Sequence, residues 1–136
     1  MYIKALIAMV VAGVCAAPTG AAAQDAEEGQ LLYQTHCASC HGADMTGNGP
    51  LASALILQPT DLTRLAAENA GVFPTRQVAM RIDGRDPLVS HGSPMPVFGP
   101  FFEGDDTPIK VETGQPMFTS RPVADLIAFL EGVQGE

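Results

Sequence analysis

Cys37-Ala38-Ser39-Cys40-His41 is the stretch of this 136-residue chain that decides its fold. Two thiols separated by two residues can each form a thioether with one of the two vinyl groups of a porphyrin. The histidine that follows is then brought under the iron. Covalent attachment fixes the geometry of this ligand and prevents loss of the heme. The motif therefore predicts a covalently bound c-type heme, attached through Cys37 and Cys40, with its iron held by His41.

Two other kinds of site share part of this motif. A C-x-x-C pair alone also occurs in disulfide oxidoreductases and in zinc sites. With His36 the stretch offers two sulfur and two nitrogen donors, but both histidines are adjacent to a cysteine, so the four side chains cannot easily face one tetrahedral centre. The sequence also lacks the βαβ pattern of a disulfide oxidoreductase. Heme attachment is therefore favoured over both, and His36 is expected to be a surface residue at a helix end.

Residues 1–23 have the pattern of a secretory signal peptide. Lys4 precedes an apolar run over 5–17, a proline interrupts it, and a tract of alanines ends at Ala23, the predicted cleavage site. The apolar run falls short of the roughly 20 residues that a membrane-spanning helix needs. We therefore expect a periplasmic mature protein of residues 24–136, without a stable membrane anchor.

The mature chain is expected to be acidic and to keep only two cysteines. Cys15 lies within the predicted signal, and Val14 stands where the signal of a bacterial lipoprotein has a small residue. Removing Lys4 from the seven basic residues leaves six against 15 acidic residues. This charge argues against nucleic acid or an anionic membrane as the partner, and it favours a protein with a basic docking face. No repeat or long linker divides residues 24–136, which are expected to form one monomeric domain.

Periodicity, capping residues and breakers predict an all-α domain of about four to five short helices packed around the heme. The predicted helices cover 26–36, about 60–71 with Thr60 as a cap, a short segment after Pro74 that ends at Asp83-Gly84, and a last segment that starts near Ser120 to Pro122 with Ser120 as a cap. A long loop rich in Pro and Gly precedes the last helix. Within this loop, residues 109–118 are expected to form a small β-hairpin that turns at Thr113-Gly114.

A second iron ligand must come from outside the motif. The candidates are Met45, Met80, His91, Met95 and Met117. Met45 lies too close to the motif to reach the opposite face of the heme, and Met80 falls in an apolar helical stretch, where methionine usually fills the core. Met95 lies between two prolines, which fix the backbone and present the thioether from an irregular loop. Met95 is therefore favoured, and the histidine and the last methionine stay as alternatives.

The pattern resembles the class I cytochrome c family over most of the mature chain. The C-x-x-C-H motif and the terminal segment 124–130 each match a feature of that family. The resemblance implies a small cytochrome c fold in which Gly29 and Tyr33 of the first helix pack against Phe129 of the last.

The same resemblance implies roles for residues around the iron. Met95, followed by Pro96, corresponds to the family's axial methionine. Pro50, in the loop 47–50, corresponds to the residue whose carbonyl accepts a hydrogen bond from the proximal histidine, here His41.

The ligand chemistry predicts an electron carrier and not an enzyme. A histidine and a methionine together occupy both axial positions, which leaves no open site for oxygen or substrate. Such a heme exchanges single electrons with other redox proteins. Together with the predicted signal peptide, this predicts a periplasmic electron carrier. A fixed subunit of a periplasmic dehydrogenase or respiratory complex is one alternative, and a heme peroxidase or sensor is a weaker one. The chain departs from the family in its acidic surface and in the stretch of about 25 residues after Met95, which is longer than in small bacterial members.

Overall fold

The computed structural model describes residues 24–86 and 95–135. The predicted signal peptide and the candidate ligand His91 therefore lie outside the described residues. The elements follow the order α1 (Ala26–His36), α2 (Ala38–His41), α3 (Thr75–Asp83), β1 (Asp106–Lys110), β2 (Pro116–Ser120) and α4 (Arg121–Gly132), with short 3-10 helices at Ala52–Ala54 and Ala67–Asn69. None of the helices in these two ranges is long and apolar enough to span a membrane. The predicted small helical domain with one β-hairpin is confirmed.

Helix α1 begins and ends where the sequence predicts. The side chain of Asp25 caps its first turn by accepting hydrogen bonds from the amides of Glu27 at 3.0 Å and Glu28 at 3.2 Å. Two carboxylates in the first turn add a favourable interaction with the helix dipole. The helix ends at Cys37, so it delivers the C-x-x-C-H motif directly from a well-capped element.

The crossing of α1 and α4 forms the centre of the fold. At Gly29 the two backbones approach so closely that a Cβ atom would collide with the carbonyl of Asp125 and lie 2.9 Å from the Cβ of Phe129. The rings of Tyr33 and Phe129 meet with their centroids 5.5 Å apart. The packing of Gly29 and Tyr33 against Phe129 that the resemblance implies is therefore present.

Helix α3 and the hairpin also follow their predictions. Gly84 ends α3 in the left-handed conformation, with φ of +84°, as the Asp83-Gly84 breaker predicts. The antiparallel strands β1 and β2 pair from Asp106 opposite Ser120 to Lys110 opposite Pro116. The hairpin thus extends slightly beyond the predicted residues 109–118.

The helix predicted over about 60–71 is wrong, because side chains take the backbone groups that a helix would need. In an α-helix the carbonyl of Leu62 would accept a hydrogen bond from the amide of Ala66. Here the side-chain amide of Gln134 binds both groups, at 2.8 Å from the Leu62 oxygen and 2.9 Å from the Ala66 nitrogen. The Asp61 carboxylate also binds the amide and hydroxyl of Thr63. Only the 3-10 helix Ala67–Asn69 remains helical here.

Helix α4 supplies more of the buried core than any other element. Ser120 occupies its N-cap position, but its side chain makes no capping hydrogen bond, so that detail of the prediction is wrong. Pro122 lies in the first turn, as predicted. The α4 residues buried in the core are Val123, Ala124, Leu126, Ile127 and Leu130. Their packing partners come from α1, α3 and the hairpin. Helices α1, α3 and α4 each contribute residues to the cavity described below, and among the described residues the hairpin contributes none.

Candidate functional site

The C-x-x-C-H motif forms one tight helical turn. The carbonyl of Cys37 accepts hydrogen bonds from the amides of Cys40 at 3.1 Å and His41 at 2.9 Å. All three side chains line one cavity of about 700 Å³. The structure thus brings together the three residues that the motif predicts to hold a heme.

The loop that follows the motif folds back and holds this turn in place. The amide of Gly47 donates to the His41 carbonyl at 2.7 Å, and the amide of Gly49 donates to the Cys40 carbonyl at 3.0 Å. Gly49 lies so close that a Cβ atom would be 2.6 Å from the carbonyl oxygen of Ser39. Only glycine fits there, so the loop acts as a rigid backbone clamp on the motif.

The imidazole of His41 is oriented by Thr60 and not by Pro50. Its Nδ1 lies 3.1 Å from the carbonyl oxygen of Thr60. Because a carbonyl oxygen can only accept a hydrogen bond, the Nδ1 nitrogen carries the proton. The lone pair of Nε2 is then left for a metal. The role that the resemblance gives to Pro50 is therefore corrected: the loop 47–50 binds the motif through its amides, and a later residue provides the acceptor.

Burial also sets the charge state of this ring. Desolvation lowers the pKa of His41, and the hydrogen bond to the Thr60 carbonyl opposes that shift in part. The net effect favours the neutral imidazole, which is the form that coordinates a metal.

The cysteines are present as free, partly buried thiols. Burial, together with the nearby Cys40 sulfur, raises the pKa of Cys37 to about 11. Among the described residues, no three His, Cys, Asp or Glu side chains converge as a metal-ion site. The arrangement therefore gives no support to the zinc alternative.

Only one of the four described methionine candidates lines the cavity. Met95 does so, together with its neighbour Pro96. Met45, Met80 and Met117 are not among the lining residues. Met117 instead lies on β2 opposite Ile109 and packs against the core.

Two further lining residues escaped the sequence analysis. His36 is exposed at the end of α1, as predicted, and in addition its ring lies edge-on to Phe102, with centroids 5.2 Å apart, and it lines the cavity. Arg81 of α3 is the single Lys or Arg among the described lining residues, and it forms an ion pair with Asp86 at 2.9 Å. Neither role has a local sequence signal, because each depends on how distant elements pack.

The lining fits a heme. Most of it is apolar, as a macrocycle requires, and is contributed by Leu51, Leu55, Leu57, Leu62, Leu65, Val78, Ile82, Phe98, Leu126 and Leu130. Cys37 and Cys40 offer two thiols at the vinyl spacing, and His41 and Met95 offer one nitrogen and one sulfur donor. Arg81 offers a cation for a heme carboxylate.

Comparison with known proteins agrees with this site. The family model described as Cytochrome c matches residues 26–134, which is most of the chain. Searches of curated proteins and of solved structures gave no match. The matched range contains the C-x-x-C-H motif, the α1–α4 crossing and Met95, so the chain belongs to the cytochrome c family, whose members bind a covalently attached heme c.

Proposed function

We propose that this protein is a periplasmic electron carrier with one heme, attached through Cys37 and Cys40 and ligated by His41 and Met95. Membership of the cytochrome c family supports electron transfer at the general level. The observation that carries the finer proposal is that Met95 lines the same cavity as the three motif residues, whereas the other described methionine candidates do not.

The heme, when bound, supplies one-electron chemistry between ferric and ferrous iron, and a thioether ligand favours a higher potential. The chain's own residues hold this centre rigid. The Thr60 carbonyl fixes the His41 ring, and the Gly47 and Gly49 amides fix the backbone beneath it. An apolar lining excludes water. Because these contacts come from backbone groups that are held within the fold, little rearrangement is expected when an electron arrives.

A carrier is favoured over a peroxidase or sensor by the polar groups near the site. An open-site heme enzyme needs an acid or base free to act on its substrate. The lining residue His36 is adjacent to the motif, at the exposed end of α1, with its ring edge-on to Phe102, and the Tyr33 hydroxyl donates to the Gly42 carbonyl at 2.7 Å. Burial also raises the pKa of Tyr33 far above its usual range, so this phenol stays protonated.

The location and the partner rest on the sequence and on the charges. The pattern of residues 1–23 supports export to the periplasm. Four of the six basic residues after the predicted signal form ion pairs with acidic neighbours, at Arg64–Glu68, Arg81–Asp86, Arg85–Asp83 and Arg121–Asp125. The remaining surface is therefore dominated by carboxylates, which favours a redox partner with a basic face.

A redox titration followed by absorption spectroscopy tests this function. The mature protein should take up one electron reversibly and stay six-coordinate in both states. The reduced protein should bind carbon monoxide poorly, because both axial positions are filled. Rapid and stoichiometric binding of carbon monoxide would contradict the carrier and favour a sensor or peroxidase.

A further inference from the structure

A short turn after Met95 connects the cavity wall to the surface. The amides of Phe101 and Phe102 donate to the Phe98 carbonyl at 2.8 and 3.0 Å, and the amide of Phe98 donates to the Ile82 carbonyl at 2.9 Å. The turn also lies tightly against α3, because a Cβ atom at Gly99 would collide with the backbone of Asp83. The three phenylalanines are thus held on a rigid support.

The three rings have different surroundings. Phe102 is buried in the core, Phe98 lines the cavity, and Phe101 is 76% exposed. Phe98 stacks on Phe102 at 5.5 Å between centroids and contacts Phe101 at 6.3 Å. An aromatic contact therefore leads from the cavity wall to a ring that faces solvent.

The exposed ring has acidic neighbours. Glu103, Asp105 and Asp106 follow within five residues of Phe101, all three are exposed, and none forms an ion pair within the described residues. A single exposed apolar side chain needs no explanation. A rigid exposed aromatic residue that is followed along the chain by three exposed carboxylates without an ion pair has the composition of a docking site, since aromatic residues supply binding energy and charges steer the encounter.

The other exposed large apolar residues in the described part of the chain lack this combination. Leu31, which follows Glu27 and Glu28 on α1, and Val72 are aliphatic, so neither offers an aromatic ring. Leu51 and Leu57 line the cavity and therefore contact the heme in the proposed function. Ile56 is fully exposed, but the segment 51–60 contains no charged residue. Phe118 is 57% exposed, but its carbonyl accepts a hydrogen bond from the Arg85 guanidinium, which brings a positive charge beside it.

We propose that Phe101, with Glu103, Asp105 and Asp106, is the surface on which this protein docks a redox protein that presents an apolar contact ringed by Lys or Arg. This inference rests on the proposed electron-carrier function and identifies where the exchange takes place. Phe101 supplies the apolar contact, and the three carboxylates select basic partners.

The test is an NMR titration of the heme-loaded, ¹⁵N-labelled protein with a lysine-rich cytochrome c as the probe, at low ionic strength. The amides of residues 98–106 should shift in a saturable way. Phe101→Ala should weaken the affinity about tenfold, as removal of a central aromatic residue does. Phe118→Ala is the matched control and should leave the affinity unchanged. Glu103→Gln with Asp105→Asn and Asp106→Asn should weaken binding more than the equal charge change Glu27→Gln, Glu28→Gln and Glu131→Gln.

The absorption spectrum and the midpoint potential of Phe101→Ala should match those of the wild type. Shifts centred on 51–57, equal losses in the two phenylalanine variants, or no saturable shift at all would each overturn the docking surface. In each of those cases, reversible one-electron reduction of the wild type would leave the electron-carrier function standing. A wild type that takes up no electron would overturn that function and this inference with it.

Discussion

The Nδ1 nitrogen of His41 lies 3.1 Å from the carbonyl oxygen of Thr60, 19 residues further along the chain. This contact fixes the plane and the tautomer of the ring that is proposed to hold the iron. A hydrogen bond to a carbonyl makes the imidazole a stronger electron donor, which stabilises ferric iron. The position of the Thr60 carbonyl depends in turn on Gly47. Gly47 packs against Pro59, which is the residue before Thr60.

Gly47→Ala tests this relationship. An added Cβ would collide with the Pro59 carbonyl and push the segment away from His41. The weaker hydrogen bond should raise the midpoint potential, because the ligand donates less charge to ferric iron. Gly114→Ala is the control, since Gly114 has nearly the same φ, +84° against +87°, but has no atom within 4 Å of the new Cβ. The control should lose about 1 kcal/mol of stability, from the backbone conformation alone, and keep its potential. Equal midpoint potentials in the two variants would contradict the role of Gly47 in positioning the Thr60 carbonyl against His41.

Gln134→Ala tests the contact that replaces the predicted helix. Removing the side-chain amide leaves the Leu62 carbonyl and the Ala66 amide without their partner, so we expect a loss of about 1–3 kcal/mol. Denaturant unfolding measures it. Gln30→Ala, an exposed position on α1, should change the free energy of unfolding little. If both variants lose the same stability, the side chain of Gln134 does not organise this segment.

Local signals were sufficient for α1, α3 and the hairpin. The Asp25 cap, the Gly84 stop and the Thr113-Gly114 turn each act within a few residues of the element they define. The heme motif is equally local, because its spacing is itself the chemistry. Elements of this kind can be predicted from a single sequence.

Three of the failures share one physical cause, which is a partner far along the chain. The segment 60–71 has a helical apolar pattern, but Gln134 takes its backbone groups from about 70 residues away. The acceptor for His41 came from Thr60 and not from the glycine-rich loop, which carries the more familiar pattern. The placement of Arg81 at the cavity likewise depends on how α3 packs.

Met95→Ala tests the second axial ligand. The oxidised wild type should show the weak far-red charge-transfer band of sulfur bound to ferric iron. The variant should lose this band, and its potential should fall, because the thioether favours the ferrous state. Met80→Ala and Met117→Ala should keep the band, since neither side chain lines the cavity. A band that survives in Met95→Ala and disappears in one of the other two would assign the ligand elsewhere.

The acidic surface predicts how ionic strength affects electron exchange. The rate at which the reduced protein passes an electron to a lysine-rich redox protein should fall as salt rises, because screening shortens the range of steering from about 10 Å at 0.1 M to about 3 Å at 1 M. Asp105→Lys with Asp106→Lys should slow the rate at low salt and leave the absorption spectrum unchanged. Stopped-flow spectroscopy measures both. A rate that is flat or rises with salt would mean that the contact is apolar or between like charges.

The most direct test of the account is heme staining after denaturing electrophoresis, combined with the pyridine hemochrome spectrum of the purified protein. The wild type should retain stain through denaturation and show the spectrum of a heme with two thioether bonds. Cys37→Ala and Cys40→Ala should each mature poorly, the double variant should carry no stain, and Cys15→Ala, which changes a cysteine of the predicted signal, should stain fully. Undiminished staining of the double variant would contradict covalent attachment through Cys37 and Cys40, and with it the central claim.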